Sequence, residues 1–206
     1  MVLPIILIVI CFIVIAMMWT EGMWTNALSL CNVTLAGIVA SSWFEPLAEL
    51  IEDSLPNFTY VVDYLSFWLI FALSFNVFRA ITDQISKFKV RFRKPIEPIG
   101  TVVFAVLTSW VMVCIFTASL HIAPLGLSPF KGGFGKEPTS PCFFGLSPDK
   151  YWWAFVHSRS KGALANITPV PFDDSGEFVY KYGARRHTLQ KHNKESDGKI
   201  LVKKRR

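Results

Sequence analysis

Positive charge is scarce where this chain is most apolar, and cysteine is scarce throughout. Residues 1–123 carry 6 Lys+Arg against 8 Asp+Glu, whereas residues 124–206 carry 15 against 7, so the net +6 belongs to the C-terminal part. Of the four cysteines, Cys11, Cys31 and Cys114 sit inside apolar runs, where a thiol behaves as a small hydrophobe. Only Cys142 lies in polar sequence, which excludes a disulfide framework or a cysteine metal cluster as the organising device. No Ser/His/Asp, Cys/His, paired-carboxylate or metal-ligand constellation falls within one apolar run or at one end of the runs. An enzyme, a cofactor and a metal site are therefore not expected. The runs also lack an ionisable residue at their middles, where a proton or ion relay through a bilayer needs one.

What is present is hydrophobicity: 52% of the residues, with a mean hydropathy of +0.40, nearly all of the excess lying before Pro124. Val2 to Trp19 is almost continuously apolar, close to the length that crosses a hydrocarbon core of about 30 Å. A cleaved secretory signal is the rival reading. No Lys or Arg precedes the run, however, and Ala16-Met17-Met18-Trp19 gives no small-x-small cleavage pattern, so an uncleaved span is expected. After a break at Thr20-Glu21-Gly22, a second run extends from Met23 to Phe44 and is richer in small and polar residues. Val33, Gly37 and Ser41, and likewise Asn32, Ala36 and Ala40, recur every four residues and share a helical face, with Asn26 and Ser29 adding polar positions nearer its start. In lipid such a face lets another helix approach closely and exchange hydrogen bonds. It reads as an intramolecular packing seam, with a homo-oligomer interface or the wall of a polar pathway as sharper alternatives.

An acidic connection, Glu45, Glu49, Glu52 and Asp53 with Pro46 and Pro56, leads to a third run from Tyr60 to Ile81. Asp63, Asn76 and Arg79 near its ends read as interface anchors and snorkelling groups. Then comes Lys87-Phe88-Lys89-Val90-Arg91-Phe92-Arg93-Lys94, and a fourth run from Ile99 to Ala123 with His121 expected as a water-exposed imidazole at its edge. The cations Lys87, Lys89, Arg91, Arg93 and Lys94, in a short loop between spans, are a strong cytoplasmic signal. With loop 82–98 cytoplasmic, four spans put the N- and C-termini in the periplasm. The loop is expected to rest on the anionic headgroups of the lipid bilayer, with Phe88 and Phe92 in the interface, and not on nucleic acid.

From Pro124 onward, prolines and glycines forbid a regular element. Gly132-Gly133-Phe134-Gly135-Lys136 has a superficial phosphate-loop look but lacks the Ser/Thr, the strand and the helix that such a loop needs. Ser147-Pro148-Asp149 starts a helix expected over Asp149 to Leu164, with Trp152, Phe155, Val156 and Ala163 on one face. Glu177 to Tyr182 alternates in the manner of a short strand, and His187 and His192 lack the further ligands of a zinc site. Too few apolar residues remain for an independent core, so this region is expected to order against the membrane or a partner.

Four spans, a short first turn bearing Glu21-Gly22, a small-residue second span, a basic third connection and Pro98-Ile99-Gly100 opening the fourth together resemble the colicin V production protein (CvpA) family over residues 1–123. Gly22 and Gly100 fall where that family tends to place glycine; its first turn is usually more basic, whereas Glu21 here has no Arg or Lys neighbour. The resemblance implies a bacterial inner-membrane protein supporting toxin export or envelope homeostasis, with no catalytic residues to carry over. The expected fold is an all-α membrane protein. Residues 1–123 form four transmembrane helices, and residues 124–206 form a Pro/Gly linker and a basic extramembrane tail with one amphipathic helix and a short strand. Two functions follow. One is assembly with itself or with a membrane complex, as an export component or accessory structural subunit; the other is a small oligomeric channel or transporter lined by Asn26, Ser29 and Asn32.

Overall fold

The computed structural model describes residues 2–52, 59–86, 93–125, 130, 141–161, 172–173, 178, 180–184 and 188. Within them run α1 (Val2–Met18), α2 (Met23–Glu52), α3 (Thr59–Ile85), α4 (Ile96–Ile122) and α5 (Pro148–Lys161). At about 1.5 Å per residue, α2 is about 45 Å long and α3 and α4 about 40 Å. These three are long and apolar enough to cross a membrane, and α1 is a shorter apolar helix of 17 residues.

The outward faces say what surrounds the bundle. Ile5, Val9, Phe12 and Ile13 on α1 and Leu65, Leu69, Leu73 and Val77 on α3 are all exposed. Rows of large apolar side chains, most of them four residues apart, are what water would exclude and lipid accepts. The chain is an all-α membrane protein.

Helix α4 is the hub: α1, α2, α3 and α5 all pack on it, and α3 also lies along α2. The main core joins Val33, Ala36, Ala40 and Phe44 of α2 to Phe67 and Phe71 of α3 and Ile115 and Ala118 of α4. Trp152, Trp153 and Val156 of α5, together with Phe178 and Tyr182, belong to this same core. A second cluster joins Leu3 and Leu7 of α1 to Val113 and Leu120 of α4 and to Cys142. The described aromatic residues of the C-terminal part thus pack against the chain's own bundle.

Four expectations are corrected. The acidic connection after Phe44 continues α2 through Pro46 to Glu52; a proline removes only one N–H, and the helix resumes beyond it. The described residues of the expected strand, Phe178 and 180–182, are helical instead, and Phe178 and Tyr182, four apart, are both buried; Glu177 and Val179 lie outside the described residues. Asp63 is 1% exposed instead of anchoring at an interface, because it shares the inward face of α3 with Val62, Ser66 and Phe67. His121 is 2% exposed instead of water-facing, because the start of α5 folds over it. Residues 132–136, His187, His192 and Ala163 lie outside the described residues.

Candidate functional site

The small-residue face of α2 is filled from within the chain. Asn26, Asn32, Val33, Ala36, Gly37, Ala40 and Ser41 are buried and Ser29 is half-buried. At Gly37 the backbone leaves room for an indole: a Cβ there would come within 2.6 Å of Trp152 and 2.7 Å of Ile115 Cδ1. One turn along, Trp152 Nε1 donates to Ser41 Oγ at 3.0 Å, while Ser41 Oγ donates to Gly37 O at 2.8 Å. A small residue supplies the space and a hydroxyl supplies the acceptor that a buried indole N–H needs. Beyond it Glu45 accepts from Tyr182 Oη at 2.9 Å and Lys181 Nζ at 3.0 Å.

The two asparagines are engaged within the chain as well. Asn26 Nδ2 donates to the backbone oxygens of Met18 and Thr101, both at 3.1 Å, and so ties the end of α1 to the start of α4. Asn32 Nδ2 donates to Thr82 Oγ1 on α3 at 3.0 Å.

At this same end, Glu97 in the first turn of α4 accepts from the Met23 backbone N–H at 3.1 Å. That N–H opens α2 and has no partner inside the helix, so a carboxylate from another helix caps it and meets the positive end of its dipole. The close approach requires two glycines. A Cβ at Gly22 would come within 3.0 Å of Glu97 Oε1, and one at Gly100 would overlap the Met23 side chain.

The opposite end of α4 holds a buried polar cluster. His121 Nε2 donates to Asp149 Oδ2 at 2.7 Å, and Cys142 Sγ donates to Asp149 Oδ1 at 3.6 Å. A tight turn brings Cys142 in: Phe143 and Leu146 exchange backbone bonds of 3.1 and 2.7 Å across Phe144 and Gly145, both at positive φ as a primed turn requires. Burial alone would raise the Asp149 carboxyl, but the His121 hydrogen bond and charge, the Lys150 backbone N–H and the Cys142 thiol outweigh it and hold Asp149 below its ordinary value. Burial, reinforced by the Asp149 charge, pushes the Cys142 thiol up to about 12. These are the residue types of a cysteine hydrolase, connected in the wrong order. The imidazole bonds the carboxylate and not the sulfur, and the sulfur stays protonated.

A family model described as Colicin V production protein matches residues 3–130, from the start of α1 to beyond the end of α4. The chain belongs to the colicin V production protein family. No curated protein and no solved structure matches it. Within this family's matched span lie α1 from its second residue on, α2, α3 and α4, with the α2 face, Gly22 at the α1–α2 turn and Gly100 at the start of α4. The match ends before α5, so the helix that fills the α2 face lies beyond it. Of the basic loop, Arg93 and Lys94 are exposed just before α4, and Lys87, Lys89 and Arg91 lie outside the described residues.

Sequence reasoning missed the His121–Asp149–Cys142 cluster because its members are separated by a Pro/Gly segment whose path has no periodic signature. The available signal was a histidine flanked by Leu120 and Ile122 in the last turn of one helix and an acid in the first turn of another.

Proposed function

We propose that this member of the colicin V production family is a non-enzymatic multipass inner-membrane protein. It supports toxin or protein export, or envelope homeostasis, as an accessory subunit assembled with a membrane complex or with further copies of itself. Loop 82–98 lies in the cytoplasm on anionic headgroups, and both termini lie in the periplasm. The observation that carries the non-enzymatic reading is the Asp149 carboxylate bridging His121 and Cys142. The cluster that could have been a nucleophile and its base instead clamps α5 to α4.

Since the small-residue face of α2 is occupied by the chain itself, assembly uses the outward apolar faces of α1 and α3. A photocrosslinker placed at Phe12 or Leu69 in native membranes is expected to yield discrete protein adducts; lipid adducts alone would count against assembly. Reporter fusions at Asn57, at Lys94 and after Arg206 test the topology, with the first and third expected on one side and the second on the other. In the channel reading, Asn26 and Asn32 already commit their Nδ2 groups to bonds within the chain, and Ser29 is the third polar residue.

A further inference from the structure

Helix α1 packs on α4, and α3 packs on α2 and α4, so α1 and α3 flank a gap. A cavity of about 380 Å³ occupies it, walled by Val14, Met17, Val33, Phe71, Phe75 and Met112. At the end nearest the α1–α2 turn it meets a second, more polar cavity of about 260 Å³ to which Trp24, Asn32, Thr82, Asp83 and Ser86 contribute. Glu21, Ser29 and Arg79 line both. The result is one amphipathic cleft, apolar inside and charged at its mouth, of the size that holds ligands.

The two charges at the mouth do not neutralise each other. Arg79 reaches Asp83 at 3.9 Å in a solvent-exposed i,i+4 contact, an arrangement worth little. The Glu21 carboxylate has no partner among the described residues. A guanidinium and a carboxylate that share a cavity without pairing leave room for a group carrying both complementary charges. In a membrane, the amphiphile that combines an apolar chain with a phosphate and a primary ammonium is an ethanolamine phospholipid.

We infer that this cleft binds one zwitterionic ethanolamine phospholipid. Arg79 takes the phosphate, Glu21 takes the ammonium, Ser29 lies between them, and the upper part of an acyl chain lies against Phe71, Phe75 and Met112. A guanidinium–phosphate contact is a charge-assisted pair, and an ammonium donates N–H bonds to a carboxylate that a quaternary choline lacks. The site therefore discriminates ethanolamine from choline lipids as well as from the anionic glycerol lipids that the Glu21 charge repels. The inference holds whichever leaflet the mouth faces, so it stands or falls separately from the proposed topology.

Native mass spectrometry of the full chain in mild detergent, titrated with ethanolamine, choline and glycerol phospholipids of identical chains, tests it. The expected result is one saturable ethanolamine-lipid adduct, about tenfold tighter than the other two. Glu21→Gln is expected to abolish the preference over choline while phosphate binding persists, and Arg79→Gln to weaken all three lipids. Met112→Trp, which fills the apolar part, is expected to remove the saturable adduct with the charged residues intact. Equal binding of the three lipids by the wild-type chain, or an ethanolamine preference that survives Glu21→Gln, would overturn the inference. So would displacement by free glycerophosphoethanolamine at the concentration of the lipid, because the ligand would then be a soluble zwitterion.

Discussion

The indole N–H of Trp152 and the hydroxyl of Ser41, 111 residues apart in sequence, lie 3.0 Å from each other in a fully buried contact. It joins a helix beyond the family-matched span to the middle of the second membrane helix, and it stands over Gly37, whose missing side chain makes the space. Large and small are matched across one interface, so each side has its own mutational signature.

Gly37→Ala is expected to destabilise the protein by about 1–3 kcal/mol, because the new methyl meets the rigid indole and overpacks the seam. Ser41→Ala removes an acceptor from a buried donor and costs about 1–3 kcal/mol. Thermal unfolding in detergent reads both, and a Ser41→Ala/Trp152→Phe double-mutant cycle is expected to show coupling between the pair. Additive effects would mean that the hydrogen bond is not formed.

Removing one partner of the His121–Asp149 pair is expected to cost about 3–5 kcal/mol, since each side chain is nearly fully enclosed and the survivor is left without its counterpart. His121→Phe and Asp149→Asn are the informative variants, read by melting temperature and by protease access to the linker before α5.

The same pair sets an acid limit. The Asp149 carboxyl is held below its ordinary value of 3.8, so folding favours its ionised form. That contribution is fully present above the unfolded value, near pH 4, and is lost as the pH falls through the lower folded one. Stability in detergent is expected to drop below pH 4 more steeply for the wild-type chain than for Asp149→Asn, and parallel curves would contradict this.

Cys142 is expected to resist alkylation. With its thiol pushed up to about 12, the thiolate fraction at pH 7 is on the order of one part in 100,000, and the sulfur is buried besides. Asp149→Asn removes the neighbouring charge that helps raise the thiol and loosens the turn, so maleimide labelling of Cys142 is expected to accelerate at least tenfold. Unchanged labelling would mean that Asp149 does not govern the thiol.

Much of this architecture was legible because lipid imposes long apolar helices. Four runs, their order and the face of α2 carrying Gly37 and Ser41 can be read from hydropathy and a spacing of four. What escaped is tertiary. Nothing local distinguishes a face awaiting a second copy from one awaiting Trp152, and nothing local announces that Glu45, just before Pro46, meets Tyr182 and Lys181 within a helix that continues to Glu52. The alternation of Glu177 to Tyr182 also fits a helix whose aromatic residues at 178 and 182 point one way. A short run admits both periods, and the neighbouring core decides.

Residues 113–122 of α4, apart from the half-buried Phe116, are enclosed on every side, by α1 and the Cys142 turn on one flank and by α2 and α5 on the other. A span wrapped by residues that follow it cannot reach its mature packing while the ribosome is still translating them. Its biogenesis must pass through a stage in which the fourth helix sits in the bilayer with its last turns unsheathed. A chain cut short at residue 123 would be arrested at that stage, inserted but unfinished, and would be a natural substrate for membrane quality control.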